Sequence, residues 1–186
     1  MLGRIPAEVE LGPTQFGSQR RKGYHDMMAT LYEFLKYYKK LERGLMSMDI
    51  EGGFDKIDTW LLCQLMAARG CGLTLCRWVA RWAGRRSVKF RFNGRLSREY
   101  YINQGISQGS PLSPFLFGIY MADILSPCLL CSPSVASVVL SYVDDGVIAV
   151  AGISRGTVVV RMGEVFEDCR RVAGLRGMGF SVMKTQ

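Results

Sequence analysis

Three aspartates are the residues of this chain best suited to catalysis. Asp144 and Asp145 sit side by side in Ser141–Val150, between the apolar runs Ser137–Tyr142 and Gly146–Val150. Asp49 lies upstream, in the short apolar run Leu45–Ile50 that Gly52-Gly53 interrupts. Asp-Asp-Gly is good hairpin chemistry, so the pair has a purely conformational reading. Carboxylates held on a rigid turn are also a platform for divalent cations. If the strand ending at Ile50 pairs with the Asp144-Asp145 hairpin, all three carboxylates converge at one sheet edge. Such groups repel one another strongly unless cations share the site. Two Mg2+ ions clamped there would activate a hydroxyl and hold a triphosphate. Successive strand residues face opposite sides, so Asp144 and Asp145 are not equivalent and one is the principal ligand.

Further candidates surround this core. In Gln108-Gly109-Ser110-Pro111, Ser110 is a good helix N-cap and Pro111 a good first helical residue. Gly109 permits close approach of a ligand to the backbone, Gln108 can hydrogen-bond a sugar or base, and a helix N-terminus favours negative charge. Phe54, five residues after Asp49, reads as a core aromatic or as a bulky wall that excludes a ribose 2′-hydroxyl. Lys184 near a triphosphate could protonate leaving pyrophosphate, or it is a solvated surface lysine.

The elements that would position these groups are legible in outline. Met27, Leu31, Phe34, Leu35, Tyr38 and Leu41 recur at helical spacing, predicting a helix from about His25 to Arg43 that ends near Gly44. Leu45–Ile50 is a short strand that delivers Asp49. Asp58 or Thr59 caps a helix running to about Arg69, and Leu73, Cys76, Val79 and Trp82 mark another. Val88, Phe90 and Phe92 alternate with Lys89, Arg91 and Asn93, and Asn93-Gly94 predicts a β-hairpin returning over about Leu96–Ile102. One face of that hairpin is strongly basic, which suits either a phosphate backbone or water. The segment from Leu112 to Leu125 is apolar nearly all round and predicts a buried helix ended by Pro127. Val158, Met162, Val165, Phe166, Cys169 and Val172 mark a last amphipathic helix, followed by a strand-like piece, Phe180–Lys184.

The chain has 186 residues, a formal charge of +8 and a pI of about 9.4. That length allows one sizeable domain, and that charge favours a polyanionic partner, nucleic acid first. The basic residues cluster at Arg20, Arg21 and Lys22, at Lys36, Lys39, Lys40 and Arg43, and most densely from Arg77 through Arg85, Arg86, Lys89, Arg91 and Arg95 to Arg98. No apolar run reaches transmembrane length and no signal-peptide centre is present, so no membrane is expected and the compartment is intracellular, nuclear or cytoplasmic. The six cysteines are then expected to be reduced. Cys128 and Cys131 have CxxC spacing, but a zinc site needs four ligands and His25 is the only histidine. Cys71 and Cys76 complete a set only if folding brings them close; buried thiols are the simpler expectation.

Taken in order, MSMDIEGGFDKID, GISQGSPLSPFLFG and SYVDDG resemble the three central motifs of reverse transcriptases. The likeness is greatest to enzymes of non-LTR, LINE-type retrotransposons, particularly those of fungal genomes. QFGSQRRKG with the helix after it resembles the family's fingers segment, RWAGRRSVKFRFNG the segment ahead of the second motif, and GLRGMGFSVMKTQ the segment after the catalytic hairpin. The match covers about Gln15 to Gln186.

The resemblance implies an α+β fold: a right-hand polymerase palm, an antiparallel sheet with packed helices, plus partial fingers. Residues 1–186 form one catalytic region, with about 1–45 and 84–103 fingers-like and about 46–83 and 104–186 palm. It implies RNA-directed DNA polymerase activity, adding deoxynucleoside triphosphates to a primer on an RNA or DNA template with two Mg2+ ions, Mn2+ being the alternative. Asp49 and Asp144 become the principal metal ligands, Asp145 the supporting carboxylate, and Ile50 a backbone-carbonyl donor. Phe54 becomes the gate against ribonucleotides, Gln108 and Gly109 contacts to the incoming nucleotide, Tyr142 and Val143 neighbours of the primer end, and Lys184 the family's lysine. Arg20, Arg21 and Lys22 approach template or triphosphate. Two departures stand out. Ser107 replaces the family's usual proline, which predicts a less rigid loop. The sequence also ends at Gln186 before any thumb, so a truncated, inactive remnant that only binds nucleic acid is the competing expectation. An RNA-templated RNA polymerase palm shares the chemistry, but Phe54 speaks against it; a nucleotide cyclase palm lacks the Gln-Gly-Ser-Pro loop.

Overall fold

In the computed structural model, which describes residues 9, 11–84, 86–125, 130–131 and 134–181, the elements in chain order are α1 (Tyr24–Tyr37), β1 (Glu42–Asp49), α2 (Thr59–Ala68), α3 (Leu73–Ala83), β2 (Arg86–Val88), β3 (Arg91–Phe92), β4 (Arg95–Leu96), β5 (Tyr100–Ile102), α4 (Ser113–Met121), β6 (Leu130–Cys131), β7 (Val135–Tyr142), β8 (Asp145–Gly152) and α5 (Arg155–Leu175). The central sheet is antiparallel with the order β1-β8-β7-β6. β8 is an inner strand, paired along its whole length with β1 on one side and β7 on the other. A strand buried this way reads as a continuous apolar run, as Val147–Ala151 does, because both faces are covered.

The two faces are covered unequally. Met48, Val139, Ile148 and Val150 join the main core with α2, α3, α4 and α5. On the other face Val138, Leu140 and Ala149 meet Phe16 and the α1 residues Met27 and Leu31. The central post of the main core is α4: Leu116, Phe117, Ile119, Tyr120 and Met121 are all fully buried. At about 1.5–3 kcal/mol for each large apolar side chain taken from water, this helix anchors the layer behind the sheet. Tyr120 is fastened at both sides of its hydroxyl, which donates to the Arg176 carbonyl (3.0 Å) and accepts from the Asp58 N–H (3.4 Å). Arg176 and Arg69 both pair with Asp123, tying the end of α5 and the end of α2 to the turn after α4.

Several boundaries differ from the sequence expectation. α1 ends at Tyr37, before the expected Arg43, because Glu42 and Arg43 pair with Gly152 and Ala151 of β8; strand pairing overrides helical periodicity there. Ser110 is not the cap of α4. The helix starts at Ser113 with Pro114 in its first turn, and Ser110 instead holds the preceding turn, its carbonyl accepting from the Ser113 N–H (3.0 Å) and its hydroxyl from the Leu112 N–H (3.4 Å). The hairpin at Asn93-Gly94 forms, with both residues at positive φ (47° and 76°) as a type I′ turn requires. It is broken into two short ladders, β3–β4 and β2–β5, with Phe90 and Ser97 hydrogen-bonded between them. Asp58 does cap α2, accepting from the Trp60 and Leu61 N–H groups at 2.7 and 3.0 Å.

Among the described residues, Cys71, Cys76 and Cys169 are buried and Cys63 is half-buried, none of the four in a disulfide. Cys128 and Pro127 lie outside the described residues, as do Arg85 and Lys184. No helix among the described residues is long and apolar enough to cross a membrane.

Candidate active site

Asp49 closes β1 and stands directly opposite Asp145, the first residue of β8. β7 and β8 are joined by only two residues, Val143 and Asp144, with Tyr142 paired to Asp145. Asp145 is therefore strand and Asp144 is turn. Val143 has φ 58°, the left-handed region that the first residue of a primed hairpin turn must adopt. For a β-branched side chain that conformation costs on the order of 1–3 kcal/mol, so surrounding structure has to impose it.

The segment after β1 is held from the far side. The Ser181 N–H donates to the Asp49 carbonyl (2.9 Å) and the Glu51 N–H to the Gly179 carbonyl (2.9 Å), making an antiparallel bridge between Ile50 and Phe180. In such a bridge the intervening residue turns its own N–H and C=O the other way. Ile50 thus turns its carbonyl away from Phe180, to the side of β1 on which β8 pairs.

Asp49, Ile50 and Asp144 line one cleft of about 340 Å3, together with Glu51, Phe54, Gln108 and Ser181. An adjoining cleft of about 550 Å3 shares Phe54, Gln108 and Asp144 and extends along Gly109, Ser110 and Pro111 to Pro114. Phe54 stands between them, its ring stacked on Phe117 with centroids 4.6 Å apart and planes 20° from parallel. Gly53 makes that stack possible: a Cβ there would lie 2.6 Å from the Phe117 ring.

The loop carrying Gln108 is joined to the Phe54 turn by backbone bonds, Ile106 N–H to Phe54 C=O (2.9 Å) and Gly105 N–H to Ile57 C=O (2.8 Å). Gly105, at φ 82°, is pressed so closely on Asp55 that a side chain would collide with its backbone. Ser107 is itself tied into the fold. Its hydroxyl accepts from Arg86 Nη1 (3.3 Å), its carbonyl accepts from the Ser113 hydroxyl (2.5 Å), and Arg86 Nη2 reaches the Gln104 carbonyl (2.7 Å). Arg86 and Ser181 were not singled out by sequence. The only signal for Arg86 was its place in the densest basic cluster, and for Ser181 its place in the strand-like piece after Gly179.

The fold thus brings Asp49, Ile50, Phe54, Gln108 and Asp144 to one cleft and Gly109 to the next. Asp145 is exposed and lines neither. Tyr142, the last residue of β7, and Val143, the first of the turn, line neither cleft, Tyr142 meeting Tyr24 edge-on at 5.9 Å. Lys22 is occupied within its own loop, donating to the Gly12 carbonyl (3.2 Å) and lying over Phe16, whereas Arg20 and Arg21 are exposed. Among the described residues no group of three or more His, Cys, Asp or Glu side chains is arranged as a metal cluster. Two carboxylates and a backbone carbonyl around one cleft nevertheless fit a hard cation that completes its shell with water and phosphate oxygens.

Comparison with known proteins places the chain in a family and a fold. The family described as reverse transcriptase (RNA-dependent DNA polymerase) matches residues 2–186. Two curated proteins, each a retrovirus-related Pol polyprotein from the type-1 retrotransposable element R2 of Popillia japonica, are 25% identical over 152 residues and 26% identical over 123 residues. These cover 76% and 60% of this chain, which spans only 21% and 20% of those proteins. Nothing in these relatives supports a fungal source. Among solved structures, apo telomerase from Candida tropicalis superposes with a TM-score of 0.69 at 11% identity, covering 100% of this chain and 34% of that one. Telomerase from Candida albicans in complex with a TWJ fragment of telomeric RNA gives 0.60 at 10% identity, covering 100% of this chain and 32% of that one. At such identities the likeness is one of fold, a right-hand polymerase of which this chain forms part of the palm.

Proposed function

Because the chain belongs to the reverse transcriptase family, we propose that it is the RNA-directed DNA polymerase region of a non-LTR retrotransposon product, with its active site at the Asp49–Asp144 cleft. The observation that carries this reading is the convergence of Asp49 and Asp144, which are far apart in sequence, on one cleft whose wall is Phe54 and Gln108. In this reading about 46–83 and 104–186 make the palm, and about 1–45 and 84–103 belong to the fingers. The partners are a primer on an RNA or DNA template and deoxynucleoside triphosphates, in the nucleus or cytoplasm.

Asp49, Asp144 and the Ile50 carbonyl would hold two Mg2+ ions, or Mn2+, with Asp145 supporting from outside the cleft. When bound, such ions lower the pKa of the primer 3′-hydroxyl and neutralise the triphosphate. The reaction forms a bond from the 3′ oxygen to the α-phosphorus and breaks the α–β phosphoanhydride, releasing pyrophosphate. Phe54, braced by Phe117, excludes a 2′-hydroxyl by contact. Gln108 and the Gly109 backbone orient the incoming nucleotide, and Tyr142 and Val143 flank the primer end. Lys184 is assigned the proton delivered to pyrophosphate.

Primer extension on an RNA template with Mg2+ tests the proposal, comparing deoxy- and ribonucleotides and wild type with Asp144→Asn. Extension that prefers deoxynucleotides and is lost in the variant is the expected result. Extension that survives Asp144→Asn overturns the site, and template binding without extension in wild type favours the non-catalytic reading.

A further inference from the structure

The strained turn that carries Asp144 is braced by a segment more than a hundred residues away in sequence. Thr14–Phe16 runs beside the end of β7, where the Phe16 N–H donates to the Ser141 carbonyl (2.8 Å) and the Ser141 N–H to the Thr14 carbonyl (2.9 Å), a parallel bridge centred on Gln15. The next residue, Gly17, lies flat against the turn. A Cβ at Gly17 would stand 2.4 Å from the Val143 nitrogen, 2.7 Å from Val143 Cγ2 and 3.2 Å from the Tyr142 carbonyl carbon. Gly17 is not among the positive-φ residues. Its own backbone therefore does not require glycine; the turn does.

The brace is itself fixed from several directions. Gln15 is 2% exposed, and its Oε1 accepts from the Gly17 N–H at 3.0 Å. Its Nε2 is buried with no hydrogen-bond partner, an arrangement that ordinarily costs free energy and is kept here with the Gly17 bond. Gln19 Nε2 reaches back to the Gly12 and Gln15 carbonyls, and Phe16 is buried with Met27 and Leu31 under α1.

We propose that Gly17 is a positioning residue: with Gln15 it forms a close-packed backstop that holds Val143 in its left-handed conformation and so aims Asp144 at the cleft it shares with Asp49. The proposal rests on the reading of Asp144 as a metal ligand. An added methyl group at position 17 must open a 2.4 Å approach to roughly 3.5 Å. Displacement on the order of 1 Å exceeds the roughly 0.5 Å tolerance of a catalytic constellation.

The test compares wild type with Gly17→Ala, Gln15→Met and Asp144→Asn. Gln15→Met removes the acceptor for Gly17 but also the unpaired buried amide, so it decides the matter should Gly17→Ala fail to fold. Three readouts are used: hydrogen exchange of the peptide across Tyr142–Gly146, Mn2+ affinity from the resonance of the free ion, and steady-state extension. In Gly17→Ala the turn amides should exchange at least about tenfold faster while those of α5 are unchanged. Mn2+ affinity should fall about tenfold, and kcat roughly 100-fold with the nucleotide KM within about threefold. Gln15→Met should shift the same readouts in the same direction by less. A folded variant with unchanged turn exchange, or with faster exchange but wild-type Mn2+ affinity, overturns the positioning role. Mn2+ binding that is insensitive to Asp144→Asn in the parent chain overturns the site reading, and this role with it.

Discussion

Asp49 faces Asp145 across the β1–β8 ladder, yet the carboxylate with which it shares a cleft is Asp144, one residue back in the turn. Adjacent acids in one sequence pair are thereby separated into a cleft-lining group and an exposed group. Asp144→Asn should abolish extension to the limit of detection, a loss of at least roughly 1,000-fold in kcat, the upper end for removing a single preorganised charge contact. Asp145→Asn should cost only about 10–100-fold, the range for a group that supports a ligand from outside. Steady-state kinetics of the two variants, with Mn2+ affinity alongside, checks the ranking; equal losses would contradict it.

Phe54 lines both clefts with Phe117 stacked on it, so in the proposed role of ribose gate it would not retreat without moving a fully buried side chain. Phe54→Val should raise ribonucleotide use relative to deoxynucleotide by about 10–200-fold, the scale of small-group discrimination in a pocket. The lost stack should lower stability by about 0.5–1.5 kcal/mol. Competing single-nucleotide extensions and a melting curve measure the two effects separately.

Arg86 ties the loop that bears Gln108 through bonds to Gln104 and Ser107. Arg86→Met keeps the apolar stem and removes those bonds. The nucleotide KM should rise roughly tenfold, equivalent to one charged hydrogen bond, while kcat stays within about threefold. A change confined to kcat would place Arg86 in another role.

Burial pushes the thiols of Cys63, Cys71 and Cys76 up, and the neighbouring Cys76 thiol adds to the effect at Cys63 and Cys71. An unfolded chain releases these protons near pH 8.5, whereas the folded chain retains them to higher pH. Their contribution to stability is therefore complete below about pH 8.5 and declines as pH rises through the folded thiols' own range. Urea midpoints between pH 7 and 10 should fall more steeply for wild type than for a Cys71→Ala/Cys76→Ala variant. Parallel slopes would show that the thiols are not responsible.

Elements with strong local signals were legible: the Asp58 cap, the all-apolar α4, the Asn93-Gly94 turn and the strand delivering Asp49. Where the reading failed, a distant partner had overruled local preference. Leu41 fits a helix by spacing, but β8 claims Glu42 and Arg43 for the sheet. Ser110-Pro111 looks like a helix start, but its groups close a turn instead. Nothing local to Ser107 indicates Arg86 as its partner, which only the fold reveals.

The sequence by itself determined the motif residues and their order, because side-chain chemistry is a local property. It also led to the expectation that Asp144 and Asp145 differ, although the difference comes from one lying in the turn and the other in the strand rather than from strand alternation. The resemblance already named Asp144 as the partner of Asp49; tertiary structure alone decided that Asp145 faces Asp49 across the ladder while lining neither cleft, and that Gly17 lies against Val143. Those outcomes depend on strand register and on contacts across more than a hundred residues, and a register is fixed by packing of both faces rather than by any short stretch of chain.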